Sequence, residues 1–141
     1  MADPEPPANV TKIEYEKLKA GDVIALANIG FIPSTDRLMP DAYPEVQHLF
    51  EVLKNHPTLR IALEGHVCCV PAPDGFSPGT ISWDLSVDRA RRVQSLLIEM
   101  GIAEARLSYR GYGRTKPIFP DEKTGAQQQA NRRVDIRIVS K

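Results

Sequence analysis

Leu85-Ser86-Val87-Asp88-Arg89-Ala90-Arg91-Arg92-Val93 is the stretch from which the fold is read. It has the spacing of an amphipathic helix. Leu85, Val93, Leu96, Leu97 and Met100 supply the apolar face, and Ala90 permits close packing. Gly101 is the expected left-handed terminator, and Asp84 or Ser86 the expected N-cap. Arg89 follows Leu85 by one turn on the same face, while Arg91 and Arg92 read as a solvated side. Downstream, Asn131-Arg132-Arg133-Val134-Asp135-Ile136 opens an alternating strand that runs to Val139. Arg132 and Arg133 fall on opposite faces of it, so only one of them faces a given site, leaving the other to snorkel over the sheet or meet solvent. Upstream, Leu59-Arg60-Ile61-Ala62-Leu63-Glu64-Gly65-His66 alternates apolar and polar residues like a half-buried strand. Arginine presents a planar fork of donors suited to a carboxylate. Convergence of these three element ends would make a fixed site for an anionic group.

The remaining segments alternate in type. Val23-Ile24-Ala25-Leu26-Ala27-Asn28-Ile29 is an apolar run of strand length. Pro40-Asp41-Ala42-Tyr43-Pro44 opens a helix, with Asp41 as its cap. Val46, Leu49, Phe50 and Leu53 form that helix's buried stripe, and Pro57 stops it. Residues 67–83 read as a long loop, broken by Pro71, Pro73, Gly75, Pro78 and Gly79. Loops longer than ~12–15 residues tend to be functional. Residues 106–112 read as a third strand. Residues 113–130 read as a polar loop with at most a turn of helix near Gln127. Residues 1–20 are assigned to a Pro-rich linker or N-terminal extension, and 21–141 to one domain. The order β-α-β-α-β-β predicts a two-layer α+β sandwich: a mixed sheet of about four strands with the helices on one face.

Bulk properties chiefly exclude. The 141 residues, 42% hydrophobic and 26% charged, suit one globular domain. A formal net charge of zero gives no basis for binding nucleic acid. No apolar run reaches the ~20 residues that span a bilayer. Met1-Ala2-Asp3-Pro4-Glu5-Pro6-Pro7 lacks the apolar core of a secretory signal. The two cysteines, Cys68 and Cys69, are adjacent. Neighbours rarely bond to each other because the ring is strained, so each is read as a thiol or as a partner for another chain. His66-x-Cys68-Cys69 suggests metal ligands, but a closed zinc site takes four, and no metal or other cofactor is expected. No nucleophile, base and orienting group stand at recognisable spacing, so no enzyme is expected.

The pattern Leu85-Ser86-x-x-Arg89-Ala90-x-x-Val93, after Gly65-His66 and before Asn131-Arg132-Arg133-Val134, resembles the OmpA-like peptidoglycan-binding domain. So do Arg106-Leu107-Ser108-Tyr109-Arg110-Gly111-Tyr112-Gly113 and Leu38-Met39-Pro40-Asp41-Ala42-Tyr43-Pro44-Glu45. The resemblance runs over residues 22–139. It implies non-covalent binding of cell-wall peptidoglycan through the diaminopimelate of the stem peptide. It also implies a Gram-negative periplasm, attachment to the outer membrane through the rest of a larger protein or complex, and envelope proteins as partners, with a homodimer left open. Arg89 matches the family's carboxylate-gripping arginine, Leu85 the apolar position before it, and Arg132 the first arginine of Asn-Arg-Arg.

Three family positions differ. The aspartate after the Gly-His-Thr turn falls on Cys68, beside Val67; the aspartate of a Phe-Asp pair falls on Ser34; an asparagine falls on Ser82. The expected ligand site is therefore Ser34, Val67, Cys68, Asp74, Ser82, Leu85, Arg89 and Arg132. A diaminopimelate side chain ends in a carboxylate and an ammonium. Arg89 suits the carboxylate, in a contact of ~1.5–3 kcal/mol. A neutral thiol at Cys68 does not suit the ammonium. Asp74 is expected to swing in from the long loop, or else wall binding is weak or lost and the fold serves protein–protein contacts.

Overall fold

The computed structural model describes residues 12–69 and 74–141. Its elements are β1 (Val23–Gly30), α1 (Tyr43–Asn55), β2 (Arg60–Gly65), α2 (Ile81–Glu99), β3 (Leu107–Gly111), α3 (Gly125–Asn131) and β4 (Arg133–Ser140). The sheet order is β1-β4-β2-β3. β4 runs antiparallel to both neighbours, and β2 runs parallel to β3. The mixed sheet of four strands is the expected one. The last strand enters its middle, so β1 and β2 do not pair.

Burial explains that insertion. Val134, Ile136 and Ile138 of β4 form one core with Ile61 and Leu63 of β2 and Leu26 of β1. Val46, Leu49, Val52 and Leu53 of α1 and Ala90, Val93 and Leu97 of α2 close it from the helix side. The other face of β4 carries Arg133 and Asp135, also buried. Their bidentate pair (Nε–Oδ1 2.9 Å, Nη2–Oδ2 3.1 Å) makes that burial tolerable. A strand buried on both faces belongs at a sheet centre. Arg133 is thus a buried ion-pair partner, not a snorkelling or solvated side chain.

Several local expectations are corrected. Thr80, not Asp84 or Ser86, caps α2, its hydroxyl accepting the Trp83 N–H. The helix therefore begins inside the stretch read as loop. Asp41 makes no cap; a short 3-10 turn, Pro40–Ala42, feeds α1 instead. The polar segment before β4 contains the seven-residue α3, with a reciprocal Thr124–Gln127 capping box. Part of the assigned linker packs on the domain: Ile13 is buried and its N–H meets His48 Nε2 at 3.3 Å. In β1, Leu26 opposes Val134 while Gly30 opposes Arg133. This bulge flips the alternation, so Leu26 is buried before it and Ile29 and Phe31 after it.

The placement of α2 depends on two glycines. Gly65 and Gly111 are paired neighbours at the ends of β2 and β3. A Cβ on Gly65 would strike the Ser86 carbonyl, and one on Gly111 the Ser86 hydroxyl and Val87. The helix therefore lies directly on the strand ends. Ser86 Oγ donates to the Trp83 carbonyl at 2.6 Å and accepts the Gly113 N–H at 2.9 Å, tying the helix to the chain after β3.

Candidate binding site

The seated helix carries Arg89 over the end of β2. Arg89 lies on the same stripe as Ser82, Ser86, Ala90, Val93 and Leu97, and is only 1% exposed. Its Nε donates to the Thr35 carbonyl at 2.9 Å and its Nη1 to the His66 carbonyl at 3.0 Å. The guanidinium also lies 5.1 Å from the Phe31 ring centre. Two backbone carbonyls and a ring fix its direction, yet no carboxylate among the described residues pairs with it. Glu64, at the end of β2, is taken by Arg137 at 2.8 Å and Tyr112 at 3.2 Å. Burial, and then the nearby charge of Arg132, lowers the Arg89 pKa to about 10. The group remains a cation at neutral pH.

Beside it opens a cavity of about 210 Å³. Seven of the eight expected residues line it. Ser34 comes from the turn after β1, Val67 and Cys68 from the segment after β2, and Ser82, Leu85 and Arg89 from α2. Arg132 comes from the junction of α3 and β4. Pro33, Cys69 and Ile81 complete the lining. Ile81, in the first turn of α2, is 84% exposed, an apolar lip at the mouth. Its position follows from the Thr80 cap, which sequence reading placed one turn too late.

Asp74 is the expected residue that does not join the lining. Its Oδ1 accepts the Ser82 N–H at 3.0 Å and its Oδ2 the Ser82 hydroxyl at 2.7 Å. These hydrogen bonds at the helix N-terminus hold its carboxyl below the usual range. Both oxygens are engaged in supporting α2.

The cysteines are bonded to each other, contrary to the thiol reading. Along a strand, successive side chains point to opposite faces. Cys69 leaves that geometry, with a left-handed backbone at φ 59°. Its N–H is held by Glu122 Oε2 at 2.8 Å. Arg132 Nη1 donates toward Cys68 Sγ at 3.0 Å, and its Nη2 to Gln129 Oε1 at 3.1 Å. Arg132 Nε is buried and has no hydrogen-bond partner among the described residues. Burial lowers the Arg132 pKa, with Glu122 acting in the opposite sense. The Glu122 carboxylate lies within 4.8 Å of both sulfurs. Glu122 was missed because it lies in a loop far along the chain from the Gly-His turn. Ligation by these cysteines would need free thiolates, which a disulfide does not offer.

The arrangement is a small, partly apolar pocket with two arginines and, among the described residues, no acid in its wall. It suits one carboxylate of a compact ligand. Residues 30–132 match the OmpA family model. The chain belongs to the OmpA family. This OmpA-family domain is 30% identical over 99 residues to outer membrane porin F of Pseudomonas fluorescens. That match covers 70% of the chain but only 28% of the porin, so the chain spans less than a third of this relative. Its fold is similar to the periplasmic domain of Helicobacter pylori MotB, with a TM-score of 0.72 at 24% identity, covering 88% of this chain and 76% of the other. It is also similar to the cell wall anchor of the T6SS from Pseudomonas aeruginosa, with a TM-score of 0.62 at 20% identity, covering 84% and 80%. Among the described residues, no helix is long and apolar enough to cross a membrane.

Proposed function

We propose that this OmpA-family domain holds peptidoglycan non-covalently, gripping a free carboxylate of the stem peptide, that of diaminopimelate, between Arg89 and Arg132. The observation that carries this reading is Arg89. It is buried, aimed by two backbone carbonyls and, among the described residues, in no ion pair with a carboxylate. A buried cation left this way costs free energy unless an anion joins it. Ser34, Val67, Cys68, Ser82 and Leu85 shape the cavity that admits the ligand. Asp74 acts indirectly, by holding the start of α2. The domain would tether a larger outer-membrane or envelope protein to the wall from the periplasmic side. The similarity to an outer membrane porin and to a cell wall anchor supports that role.

Co-sedimentation with purified peptidoglycan sacculi tests the reading. The wild-type domain is expected in the pellet. Arg89→Met and Arg132→Met are each expected to reduce retention roughly tenfold or more, the size of a lost charge-assisted contact. Retention of both variants at the wild-type level would exclude the arginine grip. Recovery of the wild type only in the supernatant would favour a protein-contact module of the same fold.

A further inference from the structure

A ligand carboxylate accounts for the two arginines but leaves a second pole unanswered. The diaminopimelate side chain also carries an ammonium on the same carbon. Among the described residues, none that lines the cavity is an acid. Cys68 stands in a neutral disulfide, and its sulfur already faces an Arg132 donor. Asp74 is spent on Ser82.

We propose that Glu122, in the loop between β3 and α3, receives the ligand's ammonium. The inference rests on the peptidoglycan reading and adds a specificity-determining residue to it. Glu122 Oε2 accepts the Cys69 N–H, and the other oxygen has no hydrogen-bond partner among the described residues. The carboxylate lies within 4.8 Å of both sulfurs, and those sulfurs belong to lining residues. The loop is anchored rather than loose. The Glu122 carbonyl accepts from Gln128 Nε2 at 3.2 Å, and Gln127 Oε1 accepts the N–H groups of Lys123 and Thr124. Charge therefore changes sign across the pocket. Arg89 is buried at the back, Arg132 stands beside Cys68, and Glu122 lies at the Cys69 edge. A zwitterionic carbon fits with its carboxylate inward and its ammonium toward that edge. The carboxylate lost at Cys68 is supplied by a different segment.

Calorimetric titration with two muropeptides tests this. One carries free diaminopimelate, and the other has the same side-chain amine acetylated. The wild type is expected to prefer the free amine by roughly tenfold or more. Glu122→Gln keeps an acceptor for the Cys69 N–H but loses the charge. It is expected to bind both muropeptides alike, at the wild-type affinity for the acetylated one. A Glu122→Gln protein that keeps the preference overturns the proposal while the peptidoglycan reading stands. So does a preference removed by Asp74→Asn instead. If the wild type binds neither muropeptide nor sacculi, the peptidoglycan reading fails and this inference falls with it.

Discussion

Arg89 is the residue on which the site turns, and half of its meaning was legible in the sequence. The resemblance of the Leu-Ser-x-x-Arg-Ala pattern to the OmpA-like motif implies a ligand-gripping role for it. That it would be among the most buried side chains was not legible, because its support comes from the carbonyls of Thr35 and His66. Those belong to two distant segments. The cysteines show the opposite case. Their adjacency argued against a bond, and only the left-handed turn at Cys69 shows how one forms. Treatment of the native protein with iodoacetamide is expected to add no mass. After a dithiol reductant, two alkyl groups should appear. Modification of both cysteines before reduction would disprove the pairing.

The seat of α2 is the decisive relation among the elements. Gly65 and Gly111 remove two side chains at neighbouring strand ends, and Ser86 fills the space. Gly65→Ala forces a Cβ into the Ser86 backbone, which lacks the freedom of a side chain. Such overpacking costs about 1–3 kcal/mol. The expected result is a lower urea midpoint with an unchanged denaturant slope. Peptidoglycan retention should fall as well, because the helix that moves carries Arg89. The two long helices, α1 and α2, and the two central strands were readable from periodicity. The start of α2 was not. Ile81, Ser82 and Trp83 carry no helical stripe of their own, so the Thr80 cap and the Asp74 brace decide it.

For the whole molecule, the buried charges on the sheet face away from the helices set the response to acid. His66 Nε2 lies 3.3 Å from Asp135 Oδ2 without hydrogen-bond alignment. Arg133, Glu64 and Tyr112 stand around the pair. Burial lowers the His66 pKa, outweighing the pull of Asp135. The unfolded histidine takes up a proton near its ordinary value of 6.5, while the folded one resists. Folding stability is therefore full above that value and declines as pH falls below it. Asp135 titrates below its ordinary 3.8 despite burial, because His66 and Arg133 favour its charged form. Its contribution is present above 3.8 and is lost as pH falls through the lower folded value. The urea midpoint is expected to be lower at pH 5.5 than at pH 7.5, and His66→Gln should remove most of that difference. An equal midpoint at the two values in the wild type would contradict the assignment.

The α+β class, the OmpA family and seven residues that line the cavity were legible along the chain. These follow from short-range periodicity and from motifs that keep their spacing along the chain. Folding in three dimensions was needed to put β4 at the sheet centre, Asp74 under the start of α2 and Glu122 beside the cysteine pair. Those relations are set by which polar and charged groups find partners once the elements pack, and the periodicity of residues along a chain carries no record of them.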